Sequence, residues 1–306
     1  MRRRNKIRII GINPRRFDRS QIKFYLYLLP VVVITALPIV FIFFNAFKPL
    51  DELLVYPPKF ITLRPTLQNF SNLAATSANK MIPMSRYLFN SILSTLAVVL
   101  LTLTITVMAA YCMSKRKYRL KKAFFGINEA ALMFVPVAVA IPRYLIIYKL
   151  GMVDRFLVHI VPLVAMPVGL YLVKQFIDEF PDSVVEAAQI DGASDYYILR
   201  KVVLPNITPA LATVAILSFQ SSWNSMEASN YYINNEALKS FSFYMTTLTA
   251  SSGNANGMVG QMMTGNTVAG LGIQAAASLI MFLPNLILFI ILQSRVMNTM
   301  SHSGMK

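Results

Sequence analysis

Residue types able to carry acid-base, nucleophilic or metal chemistry are scarce in this chain and lie far apart. Its histidines are His159 and His302, and its one cysteine is Cys112. A zinc site gathers three or four ligands, and neither histidine has a cysteine or a second histidine near it in sequence. No Gly-x-x-x-x-Gly-Lys-Ser/Thr loop occurs, so the polypeptide has no evident cradle for the phosphates of ATP. What the sequence does hold is recognition chemistry. Ser218, Gln220, Ser221, Ser222, Trp223 and Asn224 gather hydroxyls, amides and the single indole. Such a set can bond the rim of a sugar and stack on its apolar face. The same groups also tie helices to one another inside a membrane, and both readings stand. Arg143 lies in an apolar run, where a charge is costly and marks a candidate function. It can meet a hydroxyl or carboxylate in a pathway, or snorkel to the outer surface.

A second constellation looks like a docking element. It reads Glu186-Ala187-Ala188-Gln189-Ile190-Asp191-Gly192-Ala193-Ser194, followed by Leu204-Pro205-Asn206. Pro181 suits the first turn of a helix, where its missing N–H is not needed. Asp191-Gly192 stops that helix, because glycine tolerates a left-handed backbone and aspartate can bond its own main chain. Ser194 is placed as the N-cap of a second helix through Tyr196, Tyr197, Leu199 and Val203, and Pro205 opposes its continuation. Ala187 and Ala188 permit close approach of another backbone, and Glu186 offers one charge to a partner.

The elements that must position these residues are apolar. The chain is 56% hydrophobic and 14% charged, too apolar for an ordinary soluble domain. Six runs, 24–47, 87–113, 123–148, 156–173, 207–223 and 269–292, approach the ~20 residues that a bilayer core requires. The first exceeds a ~7–15-residue signal core and is read as a retained anchor. Nine Lys or Arg precede it, and Lys115, Arg116, Lys117, Arg119, Lys121 and Lys122 fill the loop after the second run. Both segments therefore face the cytoplasm. Alternation then puts 174–206 inside, although that loop carries six acidic residues against three basic ones, and puts 48–86 and 224–268 outside. The net charge of +16 is read as membrane topology, since the positives cluster beside apolar runs and no basic soluble domain exists to hold nucleic acid. The outer segment 224–268, rich in Asn, Ser and Gly, is expected to be irregular and to include a mobile loop. Prolines 30, 38, 136, 142, 162, 167 and 284 are expected to interrupt or bend the runs.

The docking run resembles the EAA loop of the membrane subunits of binding-protein-dependent ABC importers: Glu-Ala-Ala, three residues to Gly, then Leu-Pro before the next span. Along nearly its full length the chain is similar to the smaller permease of the maltose-like branch. Phe47-Lys48-Pro49, Pro65-Thr66-Leu67-Gln68-Asn69-Phe70, Asn90-Ser91, Ile141-Pro142, Trp223-Asn224 and Gln293 carry that likeness. Arg143 and the long 225–270 stretch depart from it. The resemblance implies an all-α, type I importer permease of six transmembrane helices: an inner tail at 1–23, a transmembrane domain at 24–293 and an inner tail at 294–306. It implies that Glu186, Ala187, Ala188, Asp191, Gly192, Ala193, Leu204 and Pro205 couple to an ATPase. The implied partners are a second, different permease, two ATPase subunits that hold ATP and Mg, an extracytoplasmic solute-binding protein and a sugar, all at a bacterial cell membrane. The candidate pathway residues are Arg143, Ser218, Gln220, Ser222, Trp223 and Asn224. Rival readings are an importer for a non-sugar solute, a stand-alone secondary transporter and a membrane enzyme. The secondary transporter calls for repeats and intramembrane carboxylates, of which Glu129 is the one present; the enzyme lacks a catalytic constellation.

Overall fold

The computed structural model describes residues 22–53, 55, 57, 59–78, 82–253 and 269–303. The basic tail, Tyr56, Pro58 and positions 254–268 of the second outer segment lie outside the described residues. Every regular element described is helical. The helices of nine residues or more are, in order, α1 (Ile22–Phe47), α2 (Gln68–Ala78), α3 (Met84–Lys115), α4 (Lys121–Met133), α5 (Ala140–Lys149), α6 (Pro167–Asp178), α7 (Asp182–Ile190), α8 (Thr208–Trp223), α9 (Phe241–Gly253) and α10 (Ala269–Ser303).

Three of these are long and apolar enough to cross a membrane by themselves: α1, α3 and the Leu271–Ser294 stretch of α10. Two further spans arise if each bent pair counts as one. The run expected at 156–173 is split into a 3-10 turn at Phe156–His159, a helical turn at Val161–Val164 and α6, with a 41° bend. The fifth, α8, follows Asp195–Asn206 across an 84° elbow. The third run expected at 123–148 is interrupted as its prolines predict: α4 ends at Met133, α5 begins at Ala140, and Pro136 sits between them. Prolines explain these breaks better as starts than as kinks. Pro162, Pro167, Pro205 and Pro209 all occupy first-turn positions, where the absent N–H costs nothing. Pro30, Pro38 and Pro284 do lie inside helices.

α3 is the axis of the molecule. Its 32 residues rise about 48 Å, and it packs against α6, α8 and α9, while α10 packs against α1, α8, α2 and α9. Each end of α3 carries its own core. At one end Tyr87 joins Ala46, Trp223, Phe241, Tyr244 and Ala276; at the other Val107 and Tyr111 join Val173, Ile177, Ile198 and Val203. Away from these cores the helices expose apolar side chains, such as Tyr27, Ile34 and Leu100, as a protein solvated by lipid can.

One further expectation is corrected. Between 227 and 253 the segment expected outside is ordered, with helices at Glu227–Tyr231 and α9 and a 3-10 turn at Glu236–Leu238. Phe241, Tyr244, Met245 and Leu248 are buried; they stand at helical spacing and bury one stripe of α9 despite its polar composition. The last helix holds its apolar span at Leu271–Ser294, close to the expected 269–292, and continues as helix through Ser303.

Candidate coupling site and transport pathway

The 181–206 element forms as its residues dictate. Pro181 stands at the N-cap position of α7, just before the expected first turn, and Asp182 lies in the first turn, where the helix dipole favours an acid. Gly192 takes φ +79°, a conformation that opposes any Cβ. Its N–H donates to the Gln189 carbonyl at 3.0 Å, and Ala193 N–H donates to the Ala188 carbonyl at 3.0 Å, closing the helix end. Ser194 Oγ then accepts the Tyr197 N–H at 3.3 Å, the expected N-cap. One expectation is corrected. The second helical run continues past Pro205 to Asn206, because Ile198–Val203 widens into a π-helix just before the proline, as bulges do where a backbone donor is missing.

This element has two faces. Val185, Ile198, Leu199 and Val203 are buried in the core shared with α3 and α6, and Ala188, Ala193 and Leu204 pack against them. Ala188 therefore serves internal packing more than an outside contact. Glu186, Ala187, Asp191, Gly192 and Pro205 are exposed. Beside them Ile190 is 86% exposed, Tyr196 67% and Tyr197 54%, an apolar and aromatic patch of the kind that partners cover.

Acidic residues of the element meet the basic end of α3. Lys115 Nζ donates to Asp182 Oδ1 and to the Phe180 carbonyl, both at 2.6 Å. Arg116 pairs with Asp195, and Ser114 donates to Asp178 at 2.5 Å. Lys121 Nζ bonds the Ser114 carbonyl at 2.8 Å. The loop and the basic cluster thus lie at one end of the bundle, which accounts for an acidic loop beside a basic one. The hydrogen bond and charge of Lys115 hold the Asp182 carboxyl below its ordinary range.

The opposite end is equally knitted. Asn90 Nδ2 donates to the carbonyls of Ala237 (2.8 Å) and Lys239 (3.0 Å), and Phe241 N–H donates to Ser91 Oγ at 2.7 Å. His159 Nε2 lies 2.9 Å from the Leu238 carbonyl, so the buried histidine is a tether. Asn69, 2% exposed, donates to the carbonyls of Ala46 and Lys48 that end α1. These roles went unread in the sequence; the Asn90-Ser91 and Asn69-Phe70 pairs were the visible signal.

The candidate pathway residues separate into two groups. Ser222 Oγ donates to Thr95 Oγ1 at 3.2 Å, Trp223 Nε1 donates to the Met281 carbonyl at 3.1 Å, and buried Ser218 bonds the Ala215 carbonyl of its own helix. These three pack or brace the bundle. Gln220 and Asn224 remain exposed. Arg143 does not project freely, since Nη1 reaches both oxygens of Glu227 at 2.9 Å and Tyr232 Oη donates to the same carboxylate at 2.8 Å. Burial first, then the Glu227 carboxylate, pushes the Tyr232 phenol well above its ordinary range and keeps it a donor. Among the described residues no cluster of three or more His, Cys, Asp or Glu could hold a metal.

Comparison with known proteins agrees with this architecture. Residues 102–294 match the family described as binding-protein-dependent transport system inner membrane component. A putative ABC transporter permease protein of Caldicellulosiruptor sp. is 32% identical over 68% of this chain and 74% of its own length. The sulfoquinovosyl glycerol transport system permease protein of Agrobacterium fabrum is 26% identical over 88% of each chain. A chain in the crystal structure of a bacterial ABC transporter involved in the import of the acidic polysaccharide alginate superposes with a TM-score of 0.76, at 22% identity, over 92% of this chain and 99% of that one. The chain belongs to the family of binding-protein-dependent transport system inner membrane components and is the permease subunit of an ABC transporter.

Proposed function

We propose that this permease moves a carbohydrate inward by alternating access, paired with a second, different permease. Two ATPase subunits that bind ATP and Mg drive it by docking on the 186–205 element, and an extracytoplasmic binding protein delivers the solute. The observation that carries the mechanical reading is the pair of attachments at opposite ends of α3. Lys115 and Arg116 hold the coupling element, and Asn90 and Ser91 hold the 237–241 segment. One stiff helix thus joins both sides, so a displacement of the element is felt at the outer end. The carbohydrate assignment draws on the named solute of the Agrobacterium relative.

A six-crossing, type I arrangement follows if α4 and α5 together make the third crossing. Lys121 sits by the Ser114 end of α3, while Arg143 meets Glu227 at the other. The 13 and 10 helical residues of α4 and α5 rise about 35 Å, against a ~30 Å hydrocarbon core. Both termini then face the cytoplasm, with 1–23 and 294–306 as inner tails around a 24–293 transmembrane domain.

Docking is tested with Ile190→Cys and Ala187→Cys in a Cys112→Ala background. Each cysteine should crosslink to an ATPase subunit in the purified complex. Ready labelling by a water-soluble thiol reagent without any crosslink to the ATPase would reject the assignment.

A further inference from the structure

Asn224, at the end of α8, and Asn285, in α10, approach across an open cleft of about 400 Å³. Ser242 and Thr246 of α9 and Ser278 of α10 add hydroxyls to its wall, and Met245, Met281 and Phe282 add apolar surface. Asn285 lies near the middle of the Leu271–Ser294 span, where an amide facing hydrocarbon is costly and one facing a watery cavity is not.

The hydrogen bonds of this cleft are incomplete in a specific way. Asn285 Nδ2 donates to the Met281 carbonyl at 3.2 Å and reaches Asn224 Oδ1 at 3.4 Å. Its Oδ1 is buried and has no hydrogen-bond partner among the described residues. A buried acceptor without a donor is unfavourable, so turning this amide to present Oδ1 to a donor in the cleft is an improvement on the empty state. Pro284, one residue earlier, lies inside α10 and cannot donate to the Ile280 carbonyl, leaving a second acceptor on the same turn.

Among the described residues no charged side chain lines this cleft. Its amides, hydroxyls, thioethers and single phenyl ring suit a neutral hydroxylated ring, with rim hydroxyls donating to amide oxygens and an apolar face against Phe282 and Met245. We propose that Asn285 and Asn224 form a sugar subsite on this permease, which reads uncharged hydroxyls of the passing solute and makes no direct contact with a carboxylate or sulfonate. Ser278 also borders a second cavity of about 310 Å³, lined by Asn45, Lys48, Glu52 and Gln274. This inference rests on the carbohydrate reading.

The test uses the full transport complex in proteoliposomes. Asn285→Cys and Ser278→Cys, in the Cys112→Ala background, are labelled with a small water-soluble methanethiosulfonate, with and without raffinose or digalacturonate at millimolar concentration. Labelling that either sugar slows supports the subsite; no labelling, or labelling indifferent to both, overturns it. ATP-driven uptake is then compared between wild type, Asn285→Leu and Asn285→Ser, with co-purification of the ATPase as the assembly check. The leucine variant should lose roughly five- to tenfold, the worth of one hydrogen bond, and serine should recover part of it. Equal uptake in all three overturns the subsite and leaves the importer reading standing, whereas no uptake of either sugar by the wild-type complex, together with cysteine variants whose labelling neither sugar slows, removes the carbohydrate reading as well.

Discussion

Lys115, at the last turn of α3, and Asp182, at the first turn of α7, meet at 2.6 Å with very different surroundings: the lysine side chain is 5% exposed and the aspartate 77%. The asymmetry decides which partner matters. Lys115 also donates to the Phe180 carbonyl, so its removal strands a backbone acceptor, while loss of the exposed carboxylate is answered by water. Lys115→Met is expected to lower stability by about 1–3 kcal/mol and to uncouple ATP hydrolysis from uptake; Asp182→Asn should do much less. Because the carboxyl is held below its ordinary value of 3.8, the contribution of this pair is complete above that pH and fades as pH falls through the lowered value. Thermal unfolding of wild type and Asp182→Asn should therefore differ at neutral pH and converge in acid.

Gly192 gives a sharper lesion. Its φ of +79° lies outside the range of proline, and its N–H is engaged with Gln189. Gly192→Pro is expected to abolish uptake while the chain still inserts in the membrane. A Cβ at this position would meet nothing within 4 Å, so Gly192→Ala carries backbone strain of about 1–2 kcal/mol and should keep reduced uptake. Full uptake by the proline variant would remove the hinge from the coupling account.

These local features were legible because they are encoded by one or two residues each: Asp191-Gly192 and Ser194 stop and restart the element where the sequence puts them, and Pro181 starts it from the N-cap, one position before the expected first turn. The basic run after α3 likewise marked one end of the bundle. What was illegible depends on distant partners. Trp223 beside Asn224 reads as a sugar platform until Met281, 58 residues on, supplies the carbonyl that takes its N–H. α9 was hidden by its serines and threonines, although Phe241, Tyr244, Met245 and Leu248 stood at helical spacing. The break in the third run, by contrast, was legible from Pro136 alone.

Asn69 and Gly272 form a close fit beside the end of α1. A Cβ on Gly272 would fall well inside van der Waals contact with the Asn69 amide, and that amide ends α1 by bonding the Ala46 and Lys48 carbonyls. Gly272→Ala should cost about 1–3 kcal/mol by overpacking, and Asn69→Ala a similar amount by leaving carbonyls unpaired. Since both act through one contact, the double variant should be less destabilised than the sum, by roughly 1 kcal/mol or more. Strict additivity in detergent-solubilised protein would show that the two sites do not share a contact.

Arg143 supplies the last contrast. As a free pathway cation it would govern apparent affinity for an acidic solute. As the partner of Glu227 it instead anchors α5, which also packs through Ile147 beside Tyr232. The two side chains are 30% and 34% exposed, so each would be left partly desolvated without the other. Arg143→Ala should therefore destabilise by about 1–3 kcal/mol, and adding Glu227→Gln should restore most of the loss, because the neutral amide can still accept from Tyr232. Uptake measured against solute concentration separates the two roles. Anchoring predicts a lower maximal rate with half-saturation unchanged in Arg143→Ala and recovery in the double variant, whereas a direct contact predicts weakened half-saturation that Glu227→Gln does not repair.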